Sequence, residues 1–407
     1  MNILEEIQNC PVEWKELGKV VDYEQPTKYI VSSKAYIESN EIPVLTAGQS
    51  FILGYTNEKD GIYQASKNNP VIIFDDFTTS KQWVDFKFKV KSSAMKMLTI
   101  KDEFKSEVLL RYVWHYLGTI TYKPDQHSRQ WIGTYSKFLI PILPLEIQEK
   151  IVQTLDKFTD YITELTSELT SRKKQYSFYR DKLLSFEDEV YQVEWKTLAA
   201  VSEKTSNISW NKIGDDEKFK YIDLSSVDRV SNKIIETMSI TKLTAPSRAQ
   251  KIVKSDDIIL GTTRPTLKRF TKITDDYNDQ ICSTGFCVFR TNGQVLPNYV
   301  YHIFSSSDFY KYLEENQSGA SYPAITDALV KRYKIPVPSL KIQSRIVQVL
   351  DNFDMVCNDL NIGLPKEIEL RQKQYEYFRE KLLTFTAEGV YTDSTVQYST
   401  DKTSLGS

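Results

Sequence analysis

Two sets of residues in this chain have the types and spacing for chemistry. The first is acidic. Asp75 and Asp76 close the apolar run "PVIIFDD", and Glu103 and Lys105 follow as an E-x-K. Carboxylates and a lysine at such spacing could hold Mg2+ and activate a water. Two features count against a metal-dependent nuclease. Glu103 and Lys105 open an expected amphipathic helix over residues 103–117, where the helix dipole favours acidic residues for structural reasons. The second half of the chain has no equivalent E-x-K. Metal-dependent nicking of plasmid by the lone chain would decide for the nuclease.

The second set is polar and basic. Thr78, Thr79, Ser80, Lys81 and Gln82 follow the apolar run at once, and Lys81, Lys87, Lys89, Lys91 and Lys96 cluster with only Asp85 among them. Gln126, His127, Ser128, Arg129 and Gln130 form a second polar loop before Trp131. Later, "GTTRPTLKRFTK" holds Thr262, Thr263, Arg264, Thr266, Lys268 and Arg269 without an acid, and "QSGASYPAI" adds Ser318, Ser321 and Tyr322. Arg and Gln can each make two hydrogen bonds to a guanine or an adenine edge. Lysines and hydroxyls suit phosphate and sugar contacts. A solvated basic face would explain any one cluster. Corresponding clusters after an apolar strand in both halves point to DNA rather than to a coiled-coil protein scaffold without DNA readout. Lys89, Lys91 and the loop residues above are therefore the expected DNA contacts, and no catalytic or metal-binding residue is expected.

The bulk properties permit this. The chain has 407 residues, enough for two domains with real cores. Its net charge of −2 means that nucleic-acid binding must come from local patches. Four cysteines make no disulfide framework, and with only three histidines and no C-x-x-C they make no zinc site. Cys282 and Cys287 read as small buried thiols in a strand. No apolar run is long enough for a membrane span, and the start of the chain lacks the layout of a secretory signal, so a cytoplasmic protein is expected.

The elements that must position these loops are written twice. "VEWK" occurs at Val12 and Val193, "YVWH" at Tyr112 matches "YVYH" at Tyr299, and "IPILPLEIQ" at Ile140 matches "IPVPSLKIQ" at Ile335. "IVQTLDKF" at Ile151 matches "IVQVLDNF" at Ile346, and "RKKQYSFYRDKLLSF" at Arg172 matches "RQKQYEYFREKLLTF" at Arg371. From Val12 to Val193, Tyr112 to Tyr299, Ile151 to Ile346 and Arg172 to Arg371, the offset grows through 181, 187, 195 and 199. Ordered anchors with a drifting offset are the mark of a duplicated plan. Each copy is a mixed segment of short apolar strands and one amphipathic helix (residues 103–117 and about 298–304), then a Pro-bounded turn, then a long helix.

Leu155, Phe158, Ile162, Leu165, Leu169, Arg172, Tyr176, Tyr179, Leu183 and Phe186 alternate spacings of three and four. This is the seam of a coiled coil, with Arg172 its one polar member. The second copy repeats it from Leu350 to Leu364 and resumes at Ile368 after four extra residues, a stutter where Gly363 and Pro365 predict a break or kink. Antiparallel pairing of the two seams would relate the halves by an approximate two-fold axis. His115 and His302, in matching helices, read as packed core residues. His127 is the one histidine placed to touch DNA.

Two variable segments separated by repeated Q-x-x-I-V-x-x-L-D-x-F and R-x-K-Q-Y…R-x-K-L-L-x-F helices resemble the specificity subunits of type I restriction–modification systems, over roughly residues 12–386. The resemblance implies an α/β fold. Two pseudo-repeated target recognition domains are separated by two long helices that form an intramolecular antiparallel coiled coil. The expected divisions are a first recognition domain at 1–144, a central helix at 145–186, a second recognition domain at 187–338, a distal helix at 339–386 and a disordered tail at 387–407. The resemblance also implies partners: double-stranded DNA read as a bipartite site, two methyltransferase subunits, and restriction/translocase subunits. S-adenosylmethionine, ATP and Mg2+ would then be used by those partners. In agreement, the chain has no G-x-x-x-x-G-K-[ST] phosphate loop, no G-x-G-x-x-G and no [DN]-P-P-[YF].

Overall fold

The computed structural model describes residues 3–33, 35–46, 51–122, 124, 128–186 and 193–384. The expected disordered tail lies outside them, as do Gln126 and His127. Two compact units divide the chain: one ends at Thr163 and resumes at Leu370, and the other runs from Glu164 to Glu369. The central helix Leu145–Ser185 starts in the first unit and ends in the second.

In the first unit a four-stranded antiparallel sheet runs in the order Val21–Glu24, Met95–Ile100, Val71–Asp75, Lys81–Val84. A second sheet joins Ile42–Leu45 to Ile52–Thr56 and Lys89–Val90. Every residue of Val71–Asp75 is buried because the strand is covered on both faces. Successive side chains point opposite ways, so Ile72 and Phe74 enter the core beneath the helix Leu110–Leu117, while Val71 and Ile73 enter the other. The second unit repeats this with Ile258–Gly261, in which Ile258 and Leu260 face one core and Ile259 the other.

The repeated anchors occupy equivalent bonds in both units. Glu13–Glu16 pairs antiparallel with Leu139–Ile142, and Glu194–Thr197 pairs with Lys334–Val337, so each "VEWK" closes on the proline strand at the end of its globule. The Tyr112 hydroxyl donates to Pro141 O at 2.8 Å, and that of Tyr299 to Pro336 O at 3.0 Å. The fully buried amide of Gln148 accepts from Leu109 N and donates to Glu107 O and Leu143 O. Gln343 does the same for Leu296 N, Gln294 O and Pro338 O. This corrects the expected helix over residues 103–117. Gln148 takes backbone groups that a helix would have bonded internally, and only a short turn at Asp102–Phe104 and the helix Leu110–Leu117 form. In the second unit Pro297, whose missing N–H costs nothing at a helix start, opens Pro297–Ser305.

His115 and His302 are fully buried, as packed core residues should be. His115 Nε2 lies 2.8 Å from Asp156 Oδ1, and His302 Nε2 lies 2.7 Å from Asp351 Oδ1. Each Nδ1 meets a tyrosine from the duplicated "KQY" motif: Tyr375 at 3.0 Å in the first unit and Tyr176 at 3.2 Å in the second. Burial depresses the His115 pKa against the pull of Asp156, with Arg111 and Arg379 adding to the depression. Asp156 can only accept, so Nε2 carries the proton and Tyr375 O–H donates to Nδ1. The duplicated motif therefore supplies each unit with a tyrosine that caps its buried histidine.

Packing along the helices departs from the expected seam at one end. Phe158 stacks on Phe378 and Arg371 lies over Tyr161, an antiparallel order within the first unit. In the second, Tyr176 and Tyr179 stack on Phe353. Arg172, however, is exposed and bonds Glu168 and Gln175, and Tyr179 is 46% exposed. The buried positions there are Tyr176, Arg180 and Leu184, spaced by four, because this end packs on a globular core and not on a single helix. The second long helix is broken into Leu340–Asn358 and Leu364–Leu383. Asp359 Oδ1 accepts from Asn361 N and Ile362 N, and a Cβ on Gly363 would lie 2.5 Å from Met355 O. Only glycine fits that turn.

Candidate nucleic-acid interface

In the first globule the turn at residues 76–80 joins two strands of the main sheet. Asp75 Oδ1 accepts from Phe77 N at 2.8 Å and Thr78 N at 3.2 Å, and Thr79 takes a left-handed φ of 60°. The fully buried Asp76 then bolts this turn to the second polar loop. Its carbonyl accepts from Gln130 N at 2.8 Å and its Oδ1 from Trp131 N at 2.8 Å. Its Oδ2 lies 3.5 Å from buried Lys96 Nζ and 3.8 Å from Arg129. The rim of this joint exposes Thr78, Ser80, Gln82, Ser128 and Arg129, and Lys91 is exposed further along the chain.

Other candidates face inward. Lys89 needs correction: its side chain is 4% exposed, pairs with Glu58 at 2.9 Å and donates to Asp60 O at 2.7 Å, so it holds the fold and cannot reach DNA. Gln130 is buried and bonds Tyr122 and Ser128, and Thr79 is buried in its turn. Lys81 is half-buried, and burial together with the charge of Arg379 brings its pKa down to about 8. Asp76 Oδ1 is likewise taken by the Trp131 amide, while Oδ2 faces Lys96 at 3.5 Å without a hydrogen bond, and among the described residues no group of three His, Cys, Asp or Glu side chains could hold a metal ion.

The second globule brings its two polar loops together at equivalent positions. Thr262 N and Oγ1 both donate to Gly285 O, and Thr262 O accepts from Ile325 N at 2.9 Å. Arg264 N donates to Pro323 O at 2.6 Å, and Ala324 bridges both Thr263 and Ser318. The 3-10 turn Pro265–Leu267 between Arg264 and Lys268 leaves both in left-handed backbone, φ 49° and 58°. The Arg264 guanidinium lies 4.6 Å from the ring of Tyr322, and Lys268 Nζ lies 4.2 Å from that of Tyr310. Arg264, Lys268, Ser318, Ser321 and Tyr322 are exposed, Thr263, Thr266 and Arg269 are half-buried, and Thr262 is buried. Composition and spacing point to these residues loop by loop. They do not reveal the joint: only Asp76, an acid at the end of a buried strand, hints at a buried bond there.

Residues 190–370 match the type I restriction modification DNA specificity domain. Over 416 aligned residues the chain is 42% identical to the EcoR124I/EcoR124II specificity subunit of Escherichia coli, covering 95% of this chain and 97% of the relative. The chain belongs to the specificity subunits of type I restriction–modification systems. A Haemophilus influenzae chain provisionally given the same role is 28% identical, covering 93% of this chain and 97% of its own length. The S subunit of the type I system from M. genitalium shares the fold, with a TM-score of 0.57 over 93% of this chain and 98% of that one at 15% identity. Specificity subunits are the non-catalytic part of these enzymes. No helix among the described residues is long and apolar enough to cross a membrane.

Proposed function

We propose that each globule of this specificity subunit reads one half of a bipartite DNA site through its joined loops, while the long helices set the gap between the halves. The observation that carries this reading is the joint itself. In both globules a polar turn that follows the central buried strand is tied by backbone bonds to a second polar loop, at Asp76–Gln130 and at Thr262–Ile325. Rigid scaffolds presenting variable polar loops suit readout, with hydroxyls and lysines on phosphates and Arg or Gln on base edges. Two methyltransferase copies would dock on the helices and restriction/translocase subunits on those. S-adenosylmethionine, ATP and Mg2+ would be bound by the partners, in the cytoplasm.

Exchanging residues 20–140 for those of a relative tests the reading. Methylation mapping at base resolution should show one half-site changed and the other kept; change in both halves would defeat the assignment. Light scattering on the co-expressed complex should give one chain with two methyltransferases. The helix as a ruler has its own test. Inserting a second "TSEL" after Leu169 adds about 6 Å and about 40° of rotation, at 1.5 Å and 3.6 residues per turn. One base pair adds about 3.4 Å and about 35°. The unread gap should widen by one base pair, and an unchanged gap would make the helix a tether.

A further inference from the structure

Arg264 combines three features that simple solvation does not explain. Its backbone sits in the left-handed region at φ 49°, which a side-chain-bearing residue adopts only when its surroundings enforce it. The enforcing bond is Arg264 N to Pro323 O at 2.6 Å, from the loop that carries Tyr322. Its guanidinium is held 4.6 Å from the centre of the Tyr322 ring, and Tyr322 is 71% exposed. Stacking on one face leaves the donor edge of a guanidinium free. A planar fork held on a ring has lost much of its rotamer freedom before any ligand arrives.

Lys268, four residues on, makes the contrast. It shares the left-handed backbone, yet it is a point charge, and it lies over Tyr310, a buried ring. An ammonium without a fork suits a phosphate, whereas a fork matches the paired O6 and N7 acceptors of guanine in the major groove.

We infer that Arg264, positioned by Tyr322, reads one guanine of the half-site recognised by the second globule, while Lys268 contacts the DNA backbone. This rests on the proposal that the second globule reads a half-site, and names the base and the residue that read it. Arg264 is the specificity-determining group. Tyr322 is a positioning residue whose ring sets the plane of the fork.

The test uses the full chain co-expressed with its modification partner, with methylation mapped at base resolution. Arg264→Gly keeps the left-handed backbone available, and Arg264→Lys keeps the charge but not the fork. Both should relax the preference for one guanine in one half-site by roughly 5- to 150-fold, the worth of a bidentate base contact. Tyr322→Leu should relax the same position, whereas Tyr322→Phe, which keeps the ring, should not. Replacing that guanine by 7-deazaguanine removes N7, and should weaken methylation by the wild type but not by Arg264→Gly. Lys268→Gly should instead weaken modification of all sequences evenly and lower the salt slope of DNA binding by about one unit. Even weakening with an unchanged consensus in both Arg264 variants would overturn the inference and make Arg264 a backbone contact. If the wild-type complex methylates no bipartite site, the underlying reading of the globule fails instead.

Discussion

The two globules fasten the same joint with different chemistry. In the first, the joint is a buried carboxylate: Asp76 bonds Trp131 N and faces Lys96 and Arg129. In the second, the equivalent place is held by backbone bonds of Arg264 to Pro323 and of Thr262 to Ile325, while the Thr262 hydroxyl and amide anchor the turn to Gly285 O between two neighbouring strands. The histidine caps differ in the same sense. Asp156 is shared by His115 and Arg111, while Asp351 is shared by His302 and the neutral Asn298. The plan demands bonds at fixed places and leaves their chemistry free. The consequence is energetic: removing one member of a buried charge group strands the rest, whereas a neutral joint loses one modest bond.

The largest expected effect is at the joint. Asp76→Ala strands Lys96 and the Trp131 amide and should cost about 3–5 kcal/mol. Thr262→Ala keeps its backbone bonds and should cost about 1 kcal/mol. Urea unfolding with amide exchange resolved by unit would show the difference, and equal costs would mean that the charge in the first joint is immaterial. Next come the caps. Asp156→Asn loses the Arg111 ion pair as well as the charged acceptor of His115 and should destabilise the first unit by about 1.5–3 kcal/mol, and Asp351→Asn, which loses only the charged acceptor of His302 and Asn298, should cost the second unit less.

Lys81 gives a smaller effect with a definite sign. Its folded pKa is about 8, below the ordinary lysine value, so the fold disfavours its charged form. That cost is full below pH 8 and is relieved as pH rises toward about 10.4. Lys81→Met should therefore stabilise the first unit by about 1–2 kcal/mol at pH 7, with the gain fading by pH 10; a gain that does not change with pH would point to packing instead. The smallest effect separates two neighbouring lysines. Lys91→Ala should leave stability alone and lower the salt slope of DNA binding by about one unit. Lys89→Ala should do the reverse, because it removes the ion pair of Glu58 and leaves Asp60 O without its donor.

Hydrophobic period and Gly/Pro punctuation carry much of the plan. The repeat anchors, the buried strands, the break near Gly363 and the inward histidines are all legible locally, since each depends on neighbours a few residues away. Local reading fails where a distant partner intervenes. Glu103 does not open a helix because Gln148, from another element, takes the backbone bonds at Glu107 and Leu109. Lys89 and Lys91 are indistinguishable in sequence, yet Glu58 draws only the first inward. The seam is lost at Arg172, which turns to Glu168 and Gln175 on its own helix, while Tyr179 keeps a stack on Phe353 at its exposed rim.

Duplication, by itself, determined that this protein would have two globules on one plan, two long helices and two sets of polar loops. Those are properties of residue order, and period alone encodes them. Which loops meet was decided by tertiary structure. Asp76 and Trp131, or Arg264 and Tyr322, are separated by more than fifty positions, and only packing of the strands and the closing ribbons brings them together. It also decided which cations are spent on the fold and which remain at the surface, because that turns on a carboxylate arriving from elsewhere in the chain.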